Sequence, residues 1–121
     1  MSYIETQKTI HDELIGGTAV PLLVKNVTLK GVSETLKRGT LLAINAGKYE
    51  IVDTESGTAE VKVADAVLAE DVSLTGSDAV APVYISGMFN VSKLIVKSGS
   101  DSADKHEAEL RKVGIYLTNL L

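Results

Sequence analysis

The chain contains no cysteine and no tryptophan, and only two prolines and one phenylalanine among its 121 residues. Without cysteine there is no disulfide, no thiolate nucleophile and no cysteine-ligated zinc, which narrows the available chemistry and suits assembly in a reducing cytoplasm. Aromatics make up 4% of the residues against an apolar fraction of 45%, so the core has to be built from Val, Leu, Ile and Ala. A chain of this length forms one domain and buries roughly two-thirds of its unfolded surface. A core so light in large side chains leaves a modest stability margin, and burial against sister subunits or a partner surface would add to it. Excess positive charge is also missing: 12 Lys and Arg stand against 16 Asp and Glu, a net charge of -4. Nothing therefore draws the chain to phosphate backbones or anionic lipid, and neither a nucleic acid nor a membrane is expected as partner. The opening Met-Ser-Tyr-Ile-Glu-Thr-Gln carries no basic flank or long apolar run, so a soluble, non-exported protein is expected.

Residues 2–17 mix Thr, Gln, Lys, His and Glu with scattered Ile and Leu, and end in Gly16-Gly17 ahead of Pro21. This composition predicts an N-terminal arm, residues 1–20, hinged to a single domain over residues 21–121. An ordinary frayed terminus has the same appearance. An arm carrying Tyr3, Ile4 and Ile10 could add a strand to another protein's sheet.

From Pro21 onward the pattern turns to short β-branched segments punctuated by Gly, Asn, Asp and Ser. That is the signature of a small antiparallel β-barrel or sandwich. Residues 25–30 alternate Val27 and Leu29 with polar neighbours, and residues 40–44 and 49–52 flank a turn at Asn45-Ala46-Gly47. A second hairpin is expected about residues 75–78, joining residues 66–72 to residues 80–86. Pro82 cannot donate to a ladder and predicts a sheet edge or bulge there.

One helix is expected past the arm, over residues 103–113, with Ala103, His106, Leu110 and Val113 on one stripe. Asp101 or Ser102 would cap its first turn, and Arg111 and Lys112 sit near its negative end. Gly114 would close it in the left-handed region with Ile115 against Leu110, and Ile115, Leu117 and Leu120 are spaced for a terminal strand or extended tail. The fold class is thus mainly β, of α+β type: a small antiparallel β-barrel-like domain with one C-terminal helix and a flexible N-terminal arm.

Catalytic constellations are not apparent. His11 and His106 have no second histidine at ligand spacing, and His106 reads as a residue bordering the helix's apolar stripe. The carboxylate pairs Asp53 and Glu55, Glu70 and Asp71, and Asp101 and Asp104 lack the spacing of acid-base or calcium sites, so helix capping accounts for the last of them. Lys37-Arg38-Gly39 reads as a solvated turn, since phosphate sites add backbone donors from a following helix. No catalytic residue, cofactor or metal site is expected.

Several segments taken in order carry a resemblance. Val27-Thr28-Leu29, Arg38-Gly39-Thr40-Leu41-Leu42 and Ala66-Val67-Leu68-Ala69-Glu70-Asp71-Val72 come first. Val83-Tyr84-Ile85-Ser86-Gly87-Met88-Phe89-Asn90, an acidic helix and Leu110-Arg111-Lys112-Val113-Gly114-Ile115-Tyr116-Leu117 follow. Together they resemble the lambda-type bacteriophage head decoration proteins over residues 21–117. Met88 stands where that family often has an acidic residue, and the arm is less rich in Ala, Pro and Thr. The resemblance implies a β-tadpole-like fold and a homotrimer on the outer surface of an expanded tailed-phage capsid, made in the host cytoplasm. It also implies an arm that orders on the major capsid protein. The arm residues expected to make that contact are Tyr3, Ile4, Glu5, Thr6, Gln7, Thr9 and Ile10. Alternatives are a virion-surface β-barrel module that recognises another protein or a glycan, and, more remotely, a small hydrolase.

Overall fold

The computed structural model describes residues 14–97 and 101–119. Period-two alternation produces strands much where expected. They are β1 (Ile15–Gly17), β2 (Leu23–Leu29), β3 (Thr35–Leu36), β4 (Leu41–Asn45), β5 (Lys48–Ile51), β6 (Ala66–Leu68), β7 (Val72–Ser73), β8 (Ala79–Asn90) and β9 (Ile115–Thr118). Short 3-10 turns form at Ala59–Lys62 and Val91–Lys93, and a third, Ala103–His106, runs into the one α-helix described, α1 (Glu107–Lys112).

The twelve-residue β8 is the spine. Along its first part it pairs antiparallel with β2, from Leu29 opposite Ala79 to Leu23 opposite Ser86, and with β6, Leu68 opposite Val83. Its last residues pair antiparallel with β1 and parallel with β9. β4 links β5 to β6, so the sheet curls back toward β8. It stops short of a closed barrel, because β2 and β5 meet parallel at one register position, Leu29 opposite Tyr49. The described residues are therefore mostly β with one C-terminal helix, as the pattern of the sequence predicts.

The interior divides into two clusters. One is almost wholly aliphatic, with Val27, Leu29, Leu42, Leu68, Leu74 and Val83 beneath the curled sheet. The other gathers Leu14, Leu41, Tyr84, Phe89, Leu110 and Ile115 where the chain's two end segments meet β8.

Several expectations are corrected. Residues 66–72 and 80–86 do pair, but not as one hairpin: only β6 joins β8, while β7 leaves to form a separate two-stranded sheet with β3. Pro82 lies in the interior of β8 opposite Asn26, neither on an edge strand nor at a bulge. Its carbonyl accepts from the Ala69 N–H at 3.0 Å, so the missing proline N–H faces the Ala69 carbonyl just past the end of β6. The Arg38 Nη1 donates to that carbonyl at 2.9 Å, supplying the hydrogen bond that proline cannot.

The helical stretch is part 3-10 and stops at Lys112, and Val113 is exposed rather than on the buried stripe. Ser102 makes no capping bond, and Asp101 is turned to His106 instead. Gly114 takes φ 89° as the helix end requires, and Ile115 shares a core cluster with Leu110. The terminal strand is β9, and Leu120 lies outside the described residues.

Candidate functional site

The arm residues Tyr3, Ile4, Glu5, Thr6, Gln7, Thr9 and Ile10 lie outside the described residues, as does His11. The described structure begins at Leu14 and β1, the root that follows that segment in the sequence. Leu14 is fully buried, and its carbonyl accepts from Asn90 N–H at 2.7 Å. β1 then runs beside Phe89 and Met88. Gly16 and Gly17, expected as a hinge, are strand. A Cβ on Gly16 would stand 2.0 Å from the Thr118 Oγ1 and 2.9 Å from the Phe89 carbonyl carbon, so glycine serves close approach here rather than flexibility. Thr118 Oγ1 donates toward both the Gly16 and Phe89 carbonyls, at 3.4 and 3.3 Å, tying β9 to β1.

The segment Val83-Asn90 acquires a physical account at this root. The Tyr84 and Phe89 rings pack with centroids 5.3 Å apart. Gly87 takes φ 146° and leaves no room for a Cβ, which would lie 2.6 Å from Leu22 Cδ2. Met88 covers Gly17, its Sδ 3.1 Å from where a Cβ would stand. Beside the root, Leu23 opposite Ser86 and its neighbour Val24 are 53% and 56% exposed, and Tyr116, the partner of Met88 in β9, is also exposed. Apolar side chains so placed are available to a partner surface.

His106 is not a border residue: it is 1% exposed and clasped between two carboxylates. Its Nε2 is 2.9 Å from both oxygens of Asp101, and its Nδ1 is 2.7 Å from Glu109 Oε1. Glu109 Oε1 also accepts from Ala64 N–H at 2.8 Å, fastening α1 to the connection between β5 and β6. Burial is the largest single influence on His106 and pulls its pKa down. The hydrogen bonds to Asp101 and Glu109 and their negative charge together outweigh it, and the pKa stands above the ordinary 6.5. The carboxylates sit on opposite ring nitrogens and do not converge on one point. Among the described residues no group of three or more His, Asp and Glu is placed to hold a metal.

Arg38 is likewise no part of a solvated turn. Besides the Ala69 carbonyl, its Nη1 donates to Tyr84 Oη at 2.7 Å, its guanidinium carbon lies 5.4 Å from the Tyr84 ring centroid, and its backbone N–H donates to Asp71 at 2.8 Å. Lys37 stays exposed, paired loosely with Asp71 at 3.7 Å. The other carboxylate pairs serve turns and surface pairs: Asp53 accepts from Glu55 N–H and pairs with Lys97 at 3.5 Å. Asp101 is the exception among them, and its role could have been suspected only from its distance of five residues to His106 and that of His106 to Glu109.

The described elements thus form a β body whose two end segments meet over β8, with polar clamps fixing the helix and the turn before β4. No helix among the described residues is long and apolar enough to cross a membrane. No curated protein matches the chain. The family model described as bacteriophage lambda head decoration protein D matches residues 3–115, nearly the whole chain, including the N-terminal segment from Tyr3. The chain belongs to the family of bacteriophage lambda head decoration protein D, whose members are structural proteins of the phage head.

Proposed function

We propose that this protein binds the outer face of the expanded capsid of a tailed phage as a homotrimer and stabilises the shell against internal DNA pressure. The observation that carries this reading is the family match over residues 3–115. The major capsid protein is the partner, reached after synthesis in the host cytoplasm, and no catalysis is involved.

Physical considerations support it. A trimer offers three copies of one weak site to a shell of matching symmetry, so modest contacts combine through high effective concentration. Apolar side chains left outside the body, Leu23, Val24 and Val80, are candidates for burial between subunits or against the shell. The arm, with Tyr3, Ile4, Glu5, Thr6, Gln7, Thr9 and Ile10, adds a strand to a capsid sheet edge. Backbone hydrogen bonds set its register, and Tyr3 and Ile4 fill pockets.

The test is a deletion of residues 2–13 that stops short of the buried Leu14. By light scattering, the full chain and the truncated one should both be trimers, near 38 kDa for the full chain at three times its 12.8 kDa. Full-length protein should bind expanded shells and ignore compact precursors, and the truncated trimer should bind neither. Undiminished binding by the truncated protein would refute the role of the arm. Failure of the full chain to bind any expanded shell would refute the decoration reading.

A further inference from the structure

The ring of His106 is enclosed, and the charged groups acting on it among the described residues are Asp101, from the segment before the helix, and Glu109, on α1 itself. From the β5–β6 connection, the Ala64 amide binds Glu109. A neutral imidazole has one N–H, yet both ring nitrogens face carboxylate oxygens within 2.9 Å. The doubly protonated ring satisfies both contacts, whereas the neutral ring turns a lone pair toward one carboxylate oxygen and that hydrogen bond is lost.

What the triad holds gives the arrangement a consequence. α1 passes through Gly114 directly into β9, and Gly87 N–H donates to the Gly114 carbonyl at 3.2 Å. β9 pairs with Gly87 to Asn90 of β8, the residues that also hold β1 and Leu14, and Thr118 reaches Gly16. We propose that Asp101, His106 and Glu109 form a protonation-dependent latch that holds β9 in place and, through it, the root of the N-terminal segment. Closed, it fixes Leu14 and β1 against β8; opened by loss of the His106 proton, it frees β1 and β9 while the curled sheet stays folded.

The sign follows from linkage. A histidine whose folded pKa is raised contributes its full stabilisation below the unfolded value near 6.5 and loses it as pH rises through the folded value. The latch therefore opens on the alkaline side.

Proton and amide NMR of the full chain from pH 5.5 to 9.5 tests the proposal. The spectrum carries two histidines, and His11→Asn identifies the other one. The His106 ring should titrate with a midpoint above 6.5. Amides of Ile15–Gly17 and Ile115–Thr118 should shift with that same midpoint, and exchange above it at least tenfold faster than base catalysis alone dictates. Those of β4 and β5 should not. Glu109→Gln, which retains an acceptor for Ala64 N–H but lacks the charge, should lower both midpoints together. A ring midpoint at or below 6.5, amides of β1 and β9 that ignore it, or a Glu109→Gln protein with both midpoints unmoved would each overturn the latch.

Discussion

The two clusters of this small domain are held by different physics. Beneath the curled sheet, Leu29, Leu42, Leu68 and Val83 are fully buried aliphatics packed on one another, and a titrating group in that cluster is Tyr49, hydrogen-bonded to Asp65 at 3.2 Å. Burial and the neighbouring Asp65 charge raise Tyr49 above its ordinary 10.0, so what it contributes is lost only as pH climbs past that value. Around Phe89 and Ile115, by contrast, an apolar cluster is braced by Arg38 and by the Asp101–His106–Glu109 triad, whose contribution begins to fade above pH 6.5. One end depends on shape, the other on shape and charge together. Removing a buried side chain from each separates them most strongly. Phe89→Ala should cost about 3–5 kcal/mol and Leu42→Ala about 2–5 kcal/mol in urea unfolding. At sub-denaturing urea, amide exchange in Phe89→Ala should quicken first in β1 and β9, and in Leu42→Ala first in β4 and β5. If both variants loosen the same strands first, the two clusters are one cooperative unit and the division fails.

How much of this was legible in the sequence depends on how local each cause is. The alternation about Val27 and Leu29, the turn at Asn45 to Gly47 and the helix end at Gly114 are all decided within a few residues, and the structure has them. β7 is predicted beside β8 because the Thr75 to Asp78 stretch looks like a turn. Its true partner is β3, nearly forty residues upstream, where Thr35 Oγ1 and Ser73 Oγ lie 3.3 Å apart, and spacing alone does not show such a pairing. Arg38 reads as solvated in the sequence because Tyr84 and Ala69 are 46 and 31 residues away. His106 was nearer to hand, since Glu109 is one helical turn on, but its burial depends on Asp101 folding back from outside the helix. The family resemblance drew the arm, and the residues expected in it lie outside the described part of the chain.

Arg38 gives a sharper test of the polar end, with a smaller effect. Arg38→Ala removes a hydrogen bond to Tyr84, one to the Ala69 carbonyl and a cation over a ring, and should cost about 2 kcal/mol. Arg38→Lys should recover only part, because an ammonium does not reproduce the planar contact with the ring. If Arg38 truly stands in for the N–H that Pro82 lacks, then Pro82→Ala, which restores that donor, should be less harmful or even helpful once Arg38 is gone. A double-mutant cycle should give a coupling of about 0.5–1.5 kcal/mol in that direction. Additive effects of the two changes would dissolve the link between them.

The smallest effect is expected at the far tip of the aliphatic end. β4 and β5 are joined by Ala46 and Gly47 with φ of 55° and 82°, the left-handed pair that a two-residue hairpin of matching twist demands. Glycine meets that demand freely, whereas alanine pays a steric cost that asparagine largely escapes. Ala46→Asn should therefore stabilise the protein by about 0.5–1 kcal/mol. Because the turn is remote from His106, the gain in urea midpoint should be the same at pH 6 and pH 9, while the parent's own midpoint falls between those values. A gain present at pH 6 and absent at pH 9 would mean that the hairpin feels the triad after all, and that charge at one end of the molecule reaches the packing at the other.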